Sequence, residues 1–192
     1  MKSVLLTPSA PLTIPRFYGR PNAKRLWEWA YKLDLAKYNI LVTDPIDVTN
    51  FISKHMIYQV DSETYGMPEY WLQSAQEVYE HIFDKRFDDC DGAAIAVLSI
   101  LYTLGNQNIR LALGYCGPDA HERSKTFGTN HAYCLLMRPD KPDNPYILDA
   151  TGDNVIFGFD KVNNRPDYAT LISASPFTQE AWAHGFWAEQ VS

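Results

Sequence analysis

Positive charge is scarce in this chain of 192 residues. Its 17 Lys and Arg are outnumbered by 23 Asp and Glu, which gives a formal net charge of −6, and no run of basic residues forms a local patch. A surface that binds a phosphate backbone or an anionic membrane carries clustered Lys and Arg. The composition therefore predicts that neither nucleic acid nor a membrane is a partner.

Closely spaced cysteines and long apolar runs are also missing. The cysteines are Cys90, Cys116 and Cys134, and no C-x-x-C spacing gives the pattern of a structural zinc site. No apolar run approaches the roughly 18 residues of a membrane span, and the short run at residues 4–6 is interrupted soon afterwards by prolines, unlike a signal peptide. We expect a cytoplasmic protein, although a signal trimmed from the chain would leave no trace in it.

What the chain has instead is material for a packed core, because 46% of its residues are hydrophobic and 14% are aromatic. The length fits one compact domain. We divide it into an N-terminal arm and helical subdomain over residues 1–50 and a core with a C-terminal extension over residues 51–192. Trp182, Phe186 and Trp187 are expected to form an apolar clamp on that core.

Helical patterns come first along the chain. Apolar residues recur at helical spacing from residue 22 to about residue 37, which predicts a helix there. Ser74 and Glu77 have the spacing of a capping box at the start of a second helix. The run over residues 93–104 is apolar almost all round and ends at Gly105, so it predicts a buried central helix with Cys90 at its N-terminal end.

Strand-like runs follow the helices. They cover residues 109–115, 131–137 and 146–150, and residues 155–159 are a further candidate. The polar loop over residues 117–130 is long for a hairpin and is a candidate lid or rim of a site. Helices followed by antiparallel strands are typical of an α+β fold, with the buried helix packed on an antiparallel sheet.

Cys90, His131 and Asp149 are the residues whose placement suggests joint chemistry. A helix N-terminus supplies partial positive charge, which favours the thiolate that a catalytic cysteine needs. A His at the start of one strand and an Asp at the end of the next can be cross-strand neighbours within hydrogen-bond reach. In a Cys-His-Asp triad the cysteine attacks an acyl carbon, the histidine moves the proton and the acid orients the imidazole.

Several acids surround the cysteine, namely Asp88, Asp89 and Asp91. Nearby carboxylates disfavour a second negative charge, so either a charged His131 or a bound cation must outweigh them. Each residue also has a plain structural interpretation. Cys90 fits a core position, Asp149 fits the start of a turn, and the acids fit the positive end of a helix dipole.

The sequence resembles the transglutaminase-like superfamily, and within it the bacterial transglutaminase-like cysteine proteinases. The resemblance covers roughly residues 50–152 and rests on Tyr58-Gln59-Val60-Asp61, Tyr70-Trp71, Glu77, Asp89-Cys90-Asp91, Leu104-Gly105, His131-Ala132-Tyr133 and Leu148-Asp149-Ala150-Thr151. It implies a papain-like core, with Cys90 as the nucleophile, His131 as the base and Asp149 as the orienting acid.

The chain departs from the family pattern on both sides of the cysteine. The family usually has Gly before Asp-Cys and an acid two residues after the cysteine, where this chain has Asp88 and Gly92. Some members bind calcium through acids beside the cysteine, and Asp89 and Asp91 match those positions. The resemblance thus allows calcium as a cofactor, whereas the triad chemistry itself requires none.

We expect a cysteine peptidase that acts on a protein or peptide through a thioester. The alternatives are a glutamine deamidase or transglutaminase that uses the same triad, and a binding module that retains the fold without activity. Trp71 is a candidate cleft residue and Gln73 a candidate oxyanion donor, with packing and surface positions as their alternatives. The sequence predicts no oligomeric state.

Overall fold

The computed structural model describes residues 3–6, 23–151 and 167–190 of the chain. Most of the proline-rich arm and the candidate strand over residues 155–159 lie outside these described residues. Within them the fold is mixed α and β, with helices concentrated before residue 104 and strands after it. The α+β prediction is confirmed.

Most of the sheet is formed by the second half of the chain. Its six strands are antiparallel and lie in the order β1-β8-β7-β4-β5-β6. The bounds are β1 Ser3–Leu5, β4 Ile109–Cys116, β5 His131–Leu136, β6 Tyr146–Leu148, β7 Tyr168–Ser175 and β8 Glu180–His184. Two further short strands, β2 (Ile57–Tyr58) and β3 (Phe87–Asp88), pair in parallel and lead directly to Cys90.

The helices surround one long central element. The bounds are α1 Pro45–His55, α2 Asp61–Thr64, α3 Ala75–Glu77 continuing as a π-helix over Val78–Lys85, α4 Cys90–Thr103, α5 Ala120–Phe127 and α6 Gly185–Gln190. Every residue from Cys90 to Leu101 is buried, as the apolar run predicts. Cys90 begins α4, and the side chain of Asp89 caps it by accepting from the Asp91 amide.

The two faces of the sheet bury different side chains. Along β5, Ala132 and Cys134 belong to the main core, and the Cys134 thiol donates to the carbonyl of Ala94 in α4 at 3.3 Å. Tyr133 and Leu135 belong to a second apolar cluster. Since side chains alternate along a strand, His131 lies on the face that carries Tyr133.

Two elements differ from the sequence prediction. The first helix is a 3-10 helix that ends at Trp29 rather than near residue 37, because the amides of Tyr31 and Leu33 donate to the hydroxyls of Ser99 and Thr103 on α4. The polar loop after β4 contains helix α5, which buries only Ala120 and Ser124 and so lacks an apolar stripe.

The first fifty residues share the core of the rest of the chain wherever they are described. Strand β1 pairs with β8, and Leu26 and Val48 lie in the same apolar cluster as α4. The domain boundary near residue 50 stays a prediction. Of the expected aromatic clamp, Phe186 and Trp187 pack on the main core. Trp182 stacks on the Arg110 guanidinium at 3.6 Å. None of the described helices is both long enough and apolar enough to cross a membrane.

Candidate active site

His131 and Asp149 are joined as the strand placement predicts. Strands β5 and β6 pair with Cys134 opposite Leu148, which puts the start of β5 beside the residues that follow β6. The His131 Nε2 lies 2.6 Å from the Asp149 Oδ2, and both side chains are largely buried. Because this hydrogen bond to a carboxylate keeps the proton on Nε2, a neutral imidazole has its lone pair on Nδ1.

Asp149 is surrounded by donors on both oxygens. Oδ2 accepts from His131 and from the Tyr168 hydroxyl at 2.6 Å, while Oδ1 accepts from the amide and the hydroxyl of Thr151 at 3.0 and 2.8 Å. Burial alone would raise the pKa of Asp149. The hydrogen bonds from His131, Tyr168 and Thr151 and the His131 charge outweigh it and lower the pKa to about 2. The carboxylate is therefore ionised at neutral pH.

The turn interpretation of Asp149 also holds. Its Oδ1 accepts from the amide of Thr151 two residues later, which is the hydrogen bond of an Asx turn. One oxygen thus closes the local turn while the other contacts His131. The turn therefore does not compete with a role beside His131, because it orients the Asp149 carboxylate toward the imidazole.

Cys90 occupies the start of α4, the end of the helix that favours a thiolate. Cys90 is 6% exposed and lies in the main core. The approach of the Cys90 sulfur to Nδ1 stays a prediction.

The surroundings of Cys90 are acidic on more than one side. A cysteine or carboxylate atom from each of Asp89, Cys90 and Asp91 lies within 4.8 Å of the others, and the same distance relates Asp61, Asp88, Asp89 and Asp91. Asp61 is contributed by α2, whereas the remaining acids come from β3 and the start of α4. We call Asp61, Asp88, Asp89 and Asp91 the acidic cluster.

Burial makes the charge of this cluster costly. It is the main cause that raises the pKa of Asp88 to about 7, and the neighbouring acids Asp89 and Asp61 add to it against the hydrogen bonds from Tyr65 and the Asp89 amide. Burial also raises the pKa of Asp91, with Asp89 and Asp88 as further causes. Both carboxylate oxygens of Asp91 are buried, and neither has a hydrogen-bond partner among the described residues.

The position of Asp88 explains why residue 92 is a glycine. A Cβ at residue 92 would lie 2.2 Å from Cγ of Asp88 and within 2.5 Å of both its oxygens. The carboxylate of Asp88 therefore fills the space that a side chain at residue 92 would enter.

Trp71 and Gln73 use their donors within the protein. Trp71 is buried, its indole N–H donates to Glu69 at 2.9 Å, and its ring packs edge-on against Trp29. The side-chain amide of Gln73 donates to the Trp71 carbonyl. These contacts fit the packing interpretation, and a role for either residue in a cleft or an oxyanion hole stays a prediction.

Asp61 and Tyr168 are the residues of this region that sequence reasoning missed. Each reaches its partners across a large sequence separation, with Tyr168 19 residues beyond Asp149. Asp61 stands in the quoted Tyr58-Gln59-Val60-Asp61 stretch, which is the signal that could have pointed to it. Tyr168 lies in an apolar strand whose pattern carries no comparable signal.

Comparison with known proteins gives few relatives. No protein-family model matches the chain, and no curated protein matches it. Solved structures of Legionella pneumophila LapG, including an EGTA-treated and a calcium-bound form, are similar at 21% identity and a TM-score of 0.47. The match covers 67% of this chain and 60–62% of those chains, so this chain spans less than two thirds of their length.

Proposed function

We propose that this chain is a cysteine peptidase that hydrolyses a peptide bond of a protein or peptide through a thioester. Cys90 is the nucleophile, His131 the base and Asp149 the orienting acid. The observation that carries the proposal is the 2.6 Å bond between His131 Nε2 and Asp149 Oδ2, which leaves the Nδ1 lone pair as the base. The position of Cys90 at the start of α4 supports it.

The proposed reaction has two halves. In the first, Nδ1 of His131 takes the Cys90 thiol proton and the sulfur attacks the carbonyl carbon of the substrate. The imidazolium then protonates the departing amine as the carbon–nitrogen bond breaks, which leaves a thioester. In the second half His131 takes a proton from water, hydroxide attacks the thioester, and the carboxylic acid leaves as the proton returns to sulfur.

Asp149 contributes to both halves without exchanging a proton. Its ionised carboxylate stabilises the imidazolium that forms when Cys90 is deprotonated, because the opposite charges are 2.6 Å apart in a buried site. It also holds the imidazole in the tautomer whose Nδ1 is unprotonated. A pKa of about 2 for Asp149 keeps these roles available across the whole range in which a cysteine peptidase works.

The acidic cluster fits a calcium ion in its donor set. Calcium prefers several oxygen ligands, and Asp61, Asp88, Asp89 and Asp91 supply carboxylates close together. The two unpartnered oxygens of Asp91 are the strongest sign, because buried carboxylate oxygens are otherwise hydrogen bonded. When bound there, a divalent cation would neutralise the acids that disfavour the Cys90 thiolate.

Selective alkylation tests the nucleophile. Cys116 is the most exposed of the three thiols, while Cys90 and Cys134 are buried, so exposure alone predicts that iodoacetamide labels Cys116 first. Burial raises the pKa of Cys134 and keeps it unreactive. An activated Cys90 should instead be labelled fastest, with a rate midpoint below the roughly pH 8.5 of an ordinary thiol.

The matched variants are Cys90→Ala and Cys116→Ala, assayed against a peptide panel and a panel of glutamine side-chain amides. Cys90→Ala should abolish turnover while Cys116→Ala retains it. Peptide cleavage supports the peptidase, whereas ammonia release from glutamine alone would assign a deamidase. Slow labelling of Cys90 together with no turnover on either panel would overturn the enzyme proposal in favour of a binding module.

A further inference from the structure

Two buried tyrosine side chains reach over the central strand β4 on the face of the sheet that carries His131. The Tyr133 hydroxyl, from β5, hydrogen bonds to Thr170 of β7 at 2.8 Å, and the Tyr168 hydroxyl, from β7, donates to Asp149 beyond β6. Gly114 of β4 permits the first crossing, since a Cβ there would lie 2.5 Å from the Tyr133 oxygen. The rings of Tyr133 and Tyr168 meet edge to face at 5.4 Å.

Only one of these hydroxyls contacts the His131–Asp149 pair. Tyr168 donates to Oδ2 of Asp149 at 2.6 Å, and the same oxygen faces His131 Nε2. The hydroxyl has a single proton, and its bond to Asp149 uses that proton. This bond therefore orients the hydroxyl toward Asp149.

We propose that Tyr168 is a positioning residue that holds Oδ2 of Asp149 toward His131, an inference that rests on the proposed function. Thr151 fixes Oδ1 from within the same turn, whereas the partners of Oδ2 among the described residues, His131 and Tyr168, belong to other strands. Tyr168 supplies the second fixed point from another strand. Without Tyr168, the bond to His131 is the remaining contact of Oδ2 among the described residues, and the carboxylate is freer to turn away from the imidazole.

Tyr168→Phe isolates the hydroxyl, because it keeps the ring and its packing. Tyr133→Phe is the matched control, since it removes a hydroxyl from the same apolar cluster, from a side chain that is equally buried, without touching Asp149. Both variants should lose similar thermal stability. Any difference between them in the His131–Asp149 pair then reports the contact to Asp149 rather than a general loosening of the cluster.

The first readout needs no turnover. In the wild type the Nε2 proton of His131, held in a short bond to a carboxylate, should give a strongly downfield proton resonance. Tyr168→Phe should shift or broaden that resonance and raise the pKa of Asp149, since the tyrosine bond is one of the causes that lower it. Tyr133→Phe should leave both the resonance and the Asp149 pKa unchanged.

The second readout is hydrolysis of a peptide substrate by the full chain. Tyr168→Phe should lower kcat/KM by about tenfold, the rate equivalent of roughly one hydrogen bond to a charged group, mainly through kcat. Tyr133→Phe should keep kcat/KM within about twofold of wild type, because the Tyr133 hydroxyl bonds to Thr170 instead of Asp149.

The two proposals fail in different ways. Equal behaviour of the two variants in the resonance and in kcat/KM would overturn the positioning role while leaving a working peptidase. A wild type that hydrolyses no peptide, yet loses its downfield resonance on Tyr168→Phe, would overturn the peptidase and retain the positioning of Asp149 by Tyr168.

Discussion

Asp88→Asn is the substitution with the sharpest expected effect on stability. Asp88 is fully buried against Gly92, and its pKa is raised from 3.8 to about 7, chiefly by burial. Asn has nearly the same shape and cannot ionise. The variant should therefore keep the packing around Gly92 and remove the part of the folding free energy that depends on the charge of residue 88.

Proton binding determines whether the free energy of unfolding rises or falls with pH. Between pH 3.8 and 7 the folded protein holds a proton on Asp88 that the unfolded chain has lost, so the free energy of unfolding falls as pH rises through this window. The two pKa values differ by about 3, and each unit is worth roughly 1.36 kcal/mol, which sets an upper limit of about 4 kcal/mol. Above pH 7 the loss is complete.

His184 opposes this trend in the wild type. It is buried between Ser3 and Ser173, and burial, with the charge of Arg110 as a further cause, lowers its pKa to about 3. The unfolded chain binds the proton more tightly below pH 6.5, so this residue makes the free energy of unfolding rise with pH over much of the same window. The difference between wild type and Asp88→Asn cancels the His184 contribution and leaves the contribution of Asp88, including its effect on the neighbouring Asp91.

Urea unfolding followed by tryptophan fluorescence, in EGTA, measures that difference from pH 4 to pH 8. We expect the wild type to lose up to about 4 kcal/mol relative to Asp88→Asn across the range, and added calcium to restore much of the loss at pH 8. Asp140→Asn, at an exposed acid, is the control and should show no such trend. A difference that stays constant from pH 4 to pH 8 would refute the reasoning.

Two further outcomes follow from the acidic cluster. Gly92→Ala should cost about 1–3 kcal/mol of unfolding free energy in urea, because its Cβ overlaps the Asp88 carboxylate; in Asp88→Gly/Gly92→Ala the two changes should be non-additive, and simple additivity would disprove the overlap. Asp91→Asn should weaken calcium binding at least tenfold by calorimetry, whereas equal affinity in wild type and variant would remove Asp91 from the site.

Local signals predicted those parts of the molecule that depend on neighbours in sequence. The apolar run predicts α4, and Ser74 accepts from the Glu77 amide at 3.2 Å as the capping box requires. The other half of the box differs, because Glu77 accepts from the Gln73 amide at 2.8 Å rather than from Ser74. The two amides are adjacent in the chain, so sequence spacing cannot tell which of them donates to Glu77.

The contact between His131 and Asp149 was within reach of the sequence for a related reason. Adjacent antiparallel strands bring the start of one beside the end of the next, so strand order nearly suffices to predict the pair. Predicting the acidic cluster requires knowledge of the tertiary packing. Asp61 belongs to a separate short helix, and its approach to Asp88 depends on how α2 packs on the β2–β3 pair.

The sequence by itself determined the elements that carry Cys90, His131 and Asp149, because hydrophobic period and turn residues act over a few positions. Tertiary structure alone decided which groups surround them. Tyr168 reaches Asp149 only because β7 and β6 flank β4 and β5 in one sheet, and Asp88 requires Gly92 only because its carboxylate folds back on the first turn of α4. Hydrogen bonds and charges act through space, so tertiary packing determines which groups interact, and local sequence spacing does not.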